Sequence, residues 1–135
     1  MHWAIKYLGK PYVLGADGPY AYDCWGLARA IFKERLGLDM PAVDVRSHNN
    51  GGAMKEIASG FGWGPVVDAP REGDAVLMRS PIGRHIAVAI ESSRGISFIH
   101  ADGVCGVEII QSLPDFAQRS YKNIEVWRHD TRTRG

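Results

Sequence analysis

The chain has 135 residues, with 16 Lys and Arg against 15 Asp and Glu, a formal net charge of +1, and 45% hydrophobic residues. That size suits one globular domain with a real core, because chains divide into several domains only beyond about 250 residues. The near-zero charge argues against bulk nucleic-acid binding, which needs a basic stripe, and two cysteines are too few for a disulfide scaffold or a four-thiolate zinc site.

A short helix is predicted over His2 to Leu8, stopped by Gly9 and Pro11. No long apolar run precedes a small-residue cleavage site there, so no signal peptide is expected. No stretch of about 18 apolar residues exists, so no transmembrane helix or membrane insertion is expected either. Tyr12 to Tyr22 reads as a loop, with Gly15, Asp17, Gly18 and Pro19 as turn residues. A helix then begins near Asp23 or Cys24. Leu27, Ala28, Ile31, Phe32 and Leu36 fall on one face at helical spacing, and Gly37 ends it. Residues 38–52 read as loop, with His48 in a polar stretch. Met54 to Ser59 is a weak helix, followed by the glycine-rich run Gly60 to Pro65.

The second half changes character. Asp74 to Arg79, His85 to Glu91, Ile96 to His100, Val104 to Gln111 and Ile124 to Arg128 alternate or run β-branched, with turn residues between them. Helices followed by a meander of about five antiparallel strands predict an α+β fold. The polar end, from Arg128 to Gly135, reads as a frayed tail.

Cys24 falls at the first turn of the amphipathic helix, where unpaired N–H groups and the helix dipole favour a thiolate. A lowered thiol pKa there makes the sulfur a nucleophile; the alternative is a buried structural cysteine. Asp23 is a good N-cap, with a contact to a substrate amine as its other reading. A nucleophilic thiol needs a base. With a turn centred on Ser93 and Arg94, residue 91 faces 96 and 87 faces 100, so His85 and His100 share a sheet face as diagonal neighbours. The alternative is two half-buried histidines with satisfied hydrogen bonds. Nucleophile, base and orienting group form the thiol-peptidase arrangement. Cys24, His85 and His100 could also supply three ligands to a metal. Phe61 and Trp63 could wall a groove or pack in the core, and Cys105 reads as a small buried hydrophobe.

The segments LGKPYVLGADGPYAYDCWGLARAIFKERLG, GDAVLMRSPIGRHIAVAI and FIHADGVCGVEII together resemble the NlpC-type peptidoglycan cysteine peptidases, a papain-like family. The family's pattern is a tyrosine about a dozen residues before Asp-Cys-Ser-Gly-Leu, a later Gly-Asp, a strand starting with His and a strand ending in His-Ala. Here Tyr12, Cys24, Gly73-Asp74, His85 and His100-Ala101 occur in that order, and the likeness covers about residues 3–128 of a single domain over 1–135. The resemblance implies Cys24 as nucleophile, His85 as general base, His100 as the orienting third member and Tyr12 as a donor near the oxyanion. Asp23 and Trp25 would touch substrate, and no cofactor or metal is implied. Trp25 departs from the family's serine. The Asp-Cys-Trp-Gly-Leu form looks like a phage branch associated with tail tips. It implies a murein endopeptidase, cutting between D-glutamate and the diamino acid, made in the bacterial cytoplasm and carried in a virion tail to the cell wall, with tail-tip proteins as partners. The other readings are a tail-assembly protein that keeps the fold with little catalysis, and an acyltransferase on the same scaffold.

Overall fold

Asp23 and Gly37 bracket the element that positions everything else. Asp23 Oδ1 accepts the Gly26 N–H at 2.7 Å, capping α1 (Cys24–Leu36), and its Oδ2 accepts the Gly15 N–H at 2.8 Å, so one carboxylate ties the helix start to the preceding loop. At the other end Gly37 turns left-handed, with φ 69°, and the Gly37 and Leu38 N–H groups close on Lys33 and Phe32. The computed structural model describes residues 2–42, 50–81 and 83–130. His48 and the tail beyond Asp130 lie outside the described residues.

A 3-10 helix over Trp3–Tyr7 stands where the first helix is expected. α2 (Asn50–Gly60) starts earlier than its weak pattern suggests. Six strands follow: β1 (Trp63–Val66), β2 (Ala75–Ser80), β3 (Gly83–Ser92), β4 (Gly95–Asp102), β5 (Gly106–Ile110) and β6 (Lys122–His129), with α3 (Leu113–Gln118) between the last two. They form one antiparallel sheet in the order β1-β6-β2-β3-β4-β5. The fold is therefore α+β, with Cys24 at a helix start packed on the sheet.

Four features differ from the sequence reading, the first being that Arg128 and His129, at the head of the expected frayed tail, are buried in β6. β1 lies in the glycine-rich run, because Trp63 buries against Phe32, at 4.7 Å between ring centroids, and β6 supplies its hydrogen bonds. Tertiary pairing outweighs the poor strand propensity of Gly64 and Pro65. α3 follows a Ser-Leu-Pro start too short for a clear periodic pattern, and is anchored by the fully buried Phe116. Cys105 is exposed rather than buried, because Asp102 Oδ2 accepts the N–H groups of both Val104 and Cys105 and holds them in a turn ahead of β5.

Alternation along the strands sends side chains to two cores. Ile86, Val88 and Ile90 of β3, with Ile99 and Ala101 of β4, pack under Leu27, Ile31 and Phe32 of α1. Ala87, Ala89 and Phe98 pack on the other face, under Phe116 and beside Tyr121. Arg128 of β6 is buried between the strands' ends, where its guanidinium donates to Asp74 at 2.9 and 2.8 Å. Asp74 also accepts the Arg71 N–H, so it closes the turn before β2 and neutralises a buried charge at once. Trp63 belongs to the core, whereas Phe61 is half exposed.

Candidate active site

The first turn of α1 brings Cys24 to the wall of a cavity of about 660 Å³. Gly26 allows this approach. A side chain there would overlap the Ala16 carbonyl, and Ala16 O accepts the Asp23 N–H at 2.9 Å. Tyr12, His85 and Tyr121 stand on the same wall. The Tyr12 segment is held there by its bridge to Tyr22, through Val13 N–H to Tyr22 O at 3.2 Å and Tyr22 N–H to Pro11 O at 3.1 Å.

His85 and His100 come from neighbouring strands in the register expected from the hairpin: Glu91 faces Ile96 and Val88 faces Ile99. His85 Nε2 lies 2.8 Å from His100 Nδ1, and both rings are buried. Tyr121 tilts against His85 at 4.9 Å between centroids, and Phe116 meets the His100 ring edge-on at 5.1 Å. The chain of contacts continues. His100 Nε2 lies 3.1 Å from Glu108 Oε1, and Glu108 Oε1 also takes Arg119 Nη1. Arg119 reaches Asp102 at 3.6 Å, and the Tyr121 hydroxyl donates to Asp102 at 3.3 Å.

The order of donors along this chain follows from chemistry. An ionised carboxylate only accepts. Burial pushes the Glu108 carboxyl up, but the hydrogen bonds from Arg119 and His100 outweigh it and hold it below its ordinary value. His100 therefore carries its proton on Nε2, and its Nδ1 is an acceptor. His85 must then donate from Nε2, which leaves its Nδ1 as the unprotonated nitrogen. Burial, reinforced by the neighbouring His100, drives the His85 pKa down to about 3, so the ring stays neutral. Burial lowers His100 as well, against the pull of Glu108.

The thiol behaves differently from the sequence expectation. Burial first, then the charge of Asp23, pushes Cys24 up to about 12. The backbone N–H groups of Ile86, Trp25 and Cys24 itself pull the other way without prevailing. Desolvation of a thiolate at a site only 3% exposed outweighs the helix-start donors. Cys24 and His85 thus face one cavity as a neutral thiol and a neutral imidazole. The hydrogen bond made by the His85 ring is the one to His100, and none joins it to Cys24 among the described residues. Burial first, then the nearby Cys24 and Asp23, raises the Tyr12 hydroxyl, which therefore remains a donor.

Asp23 and Trp25 stand apart from the cavity. Both are 3% exposed and neither lines the cavity. The Asp23 carboxylate is committed to Gly15 and Gly26, and Trp25 Nε1 donates to Pro41 O at 2.7 Å. The bulky ring in place of the family's serine therefore packs in the core and does not narrow the cavity. Among the described residues, no three His, Cys, Asp or Glu side chains converge as metal ligands would. Sequence reading missed Glu108, Arg119, Asp102 and Tyr121. Glu108 could have been found, since a charged residue inside the apolar strand Val107–Ile110 is anomalous and faces His100 directly across β4 and β5.

Comparison with known proteins gives four findings. The model of the NlpC/P60 family matches residues 9–128. Protein P54 of Enterococcus faecium is 27% identical over 96 residues, 57% of this chain and 19% of its own length. Murein DD-endopeptidase MepS/Murein LD-carboxypeptidase of Escherichia coli (strain K12) is 29% identical over 106 residues, 78% of this chain and 48% of its own. The crystal structure of the NlpC/p60 domain of peptidoglycan hydrolase SagA superposes with a TM-score of 0.60 at 28% identity, covering 91% of each chain. The chain thus spans about half of the one relative and about a fifth of the other.

Proposed function

The chain belongs to the NlpC/P60 family, and from that premise we propose that it is a cysteine peptidase acting on the peptides of bacterial peptidoglycan. The observation that carries the reading is Cys24 and His85 on one cavity wall, with the His85 Nε2 side tied to His100 at 2.8 Å. The names of the relatives, a murein endopeptidase and a peptidoglycan hydrolase, support the substrate class.

The reaction runs from a neutral pair. As Cys24 Sγ bonds to the scissile carbonyl carbon, His85 Nδ1 takes the thiol proton and the carbonyl oxygen gains the negative charge. The Tyr12 hydroxyl and the Cys24 N–H, one of the helix's unpaired first donors, stabilise that oxyanion. The imidazolium returns its proton to the leaving nitrogen as the C–N bond breaks. A water, deprotonated by His85, then cleaves the thioester to a carboxylic acid and restores the thiol. His100, Glu108 and Arg119 keep the His85 tautomer that makes this transfer possible.

Two finer features complete the proposal. The bond cut lies between D-glutamate and the diamino acid, and the protein works as a phage tail-tip component that reaches the wall from outside, with tail proteins as partners. The Asp23-Cys24-Trp25-Gly26-Leu27 form supports the second feature. The alternative is a tail-assembly protein that keeps the fold with little or no catalysis, for which the small size of the chain speaks; Trp25, packed in the core, gives it no support. The test is incubation of the purified protein with defined muropeptides and mass analysis of the products. Wild type should release fragments cut at the D-glutamate bond, and Cys24→Ala should lose at least ~10⁴-fold in turnover. Equal release by both proteins overturns the peptidase reading; cleavage at D,D cross-links instead overturns the bond assignment alone.

A further inference from the structure

The end of α3 aims one side chain at the histidine pair. Ser120 takes a left-handed turn at φ 72°, a conformation that glycine usually supplies. Its N–H closes on Ala117 O at 3.1 Å, and the Tyr121 N–H closes on Phe116 O at 3.1 Å, which is a Schellman-type stop. The hydrophobic contact that accompanies such a stop joins Tyr121 to Phe116, edge to face at 5.5 Å between ring centroids.

The same two rings enclose the histidines. Phe116 meets His100 edge-on at 5.1 Å. Tyr121 lies over His85 at 4.9 Å with the planes 35° apart, and meets His100 at 6.1 Å. Phe116 and His100 are fully buried and do not line the cavity, whereas Tyr121 does. The phenol ring therefore separates the cavity from the hydrogen bond between His85 Nε2 and His100 Nδ1. Its outer end is tied down. The hydroxyl donates to Asp102 Oδ1 at 3.3 Å, and Asp102 Oδ2 is fixed in turn by the Val104 and Cys105 N–H groups. Burial first, then the charge of Asp102, raises the phenol, so it remains a donor.

Water at the histidine pair would compete for the Nε2 proton of His85 and for Nδ1 of His100, and would free the His85 ring to turn. It would also solvate an imidazolium, undoing the burial that keeps His85 neutral. The charged and titratable groups about His85 offer no substitute. Cys24 of α1 is a neutral thiol, and the fields of Asp102 and Arg119 act on His85 in opposite senses. Lys55 of α2, across a small cavity behind the ring, is paired with Glu125, and Arg84 precedes His85 on β3. From β2, the residue opposite is the uncharged Met78.

We propose that Tyr121 is a positioning residue for the peptidase reaction: its ring covers the His85–His100 hydrogen bond against water in the cavity and holds the imidazole in the plane that its base role needs. This rests on the peptidase reading and adds to it a residue that acts only through His85.

The experiment makes two measurements on wild type, Tyr121→Phe, Tyr121→Ala and a control, Tyr20→Ala, at a tyrosine that is 81% exposed. One is the exchange of the His85 Nε2 proton with water, read by NMR on isotope-labelled histidine without substrate. The other is muropeptide cleavage as a function of pH. Wild type and Tyr20→Ala should show a protected proton and the same pH profile. Tyr121→Phe keeps the ring and should keep both, with kcat within about fivefold for the lost hydrogen bond. Tyr121→Ala should lose the proton signal and drop kcat by roughly 10- to 100-fold. The acid limb of its kcat/KM should move up toward the ordinary histidine value of 6.5, which a loss of stability alone would not cause. If Tyr121→Ala does not fold, the wild-type proton decides: slow exchange supports the cover, and exchange as fast as that of an exposed histidine overturns it. A Tyr121→Ala enzyme with the wild-type acid limb and only a raised KM makes Tyr121 a wall of the substrate cavity and overturns the proposal, leaving the peptidase reading intact. A protected proton in a wild-type protein that cuts no muropeptide overturns the peptidase reading, while the cover itself stands.

Discussion

The two faces of the sheet carry the two proposed reacting partners in different ways. On the α1 face, Cys24 is placed by backbone: one capped helix start, one carboxylate bonded to Gly15 and Gly26, and one glycine against Ala16. On the α3 face, His85 is placed by side chains. Its orientation passes through His100, Glu108 and Arg119, whose successive links join residues 15, 8 and 11 apart in the chain. The position of Cys24 is therefore a local matter that few mutations can shift without disturbing the helix. The base's tautomer depends on a buried polar chain, in which each link fails if the next loses its charge.

The side-chain half should break most sharply. Glu108→Gln keeps the shape but lets an amide nitrogen face His100, which reverses the proton order along both rings and moves a proton onto His85 Nδ1. Steady-state kinetics should show kcat down ~100-fold with KM little changed, within the usual range for a general base; a change under twofold means that the relay does not orient His85.

A pH series sharpens the same half. With the His85 pKa depressed to about 3, the neutral base persists well below the ordinary histidine value of 6.5, so kcat/KM should hold from neutral pH into mildly acidic solution. Stability moves the other way. The unfolded chain takes up a proton near pH 6.5 that folded His85 refuses, so the unfolded state binds more protons and stability falls as pH drops from about 6.5 toward 3. An acid limb of activity centred near 6.5, with flat denaturation midpoints, contradicts the buried neutral ring.

The backbone half should respond in stability more than in chemistry. Gly26→Ala drives a methyl into the Ala16 carbonyl, and overpacking of this kind costs about 1–3 kcal/mol. Because the clash displaces the loop that carries Tyr12, urea titration should show the loss together with a raised KM. Asp23→Ala removes the N-cap, at about 1–2 kcal/mol. Its midpoint should fall while the acid side of the pH profile of the remaining activity keeps its shape, since the cap does not touch His85; only the alkaline side should move, with the Cys24 thiol that the Asp23 charge raises. An acid side altered by Asp23→Ala would mean that the two halves are coupled.

Much of this was legible in the chain itself. The Asp23 cap, the α1 stripe, the Gly37 stop and the pairing of Glu91 with Ile96 all follow from interactions within a few residues, where spacing and turn chemistry decide the outcome. The expected helix-start thiolate did not follow, because its pKa depends on how completely the fold removes Cys24 from water. Asp23 serves as the expected N-cap and Trp25 packs in the core: residues adjacent to Cys24 in sequence need not face the cavity that it faces.

By itself, the sequence determined that Cys24 sits at a helix start, which strands alternate, and that His85 and His100 share a face, since periods of 3.6 and 2 are properties of the local backbone. Only the tertiary structure decided that Glu108 and Arg119 continue the hydrogen-bonded chain from His100, and that β1 and β6 extend the sheet beyond β2. Those outcomes depend on burial and on contacts between distant strands, and desolvation, which shifts both Cys24 and His85 toward neutrality, exists only once the chain has closed around them.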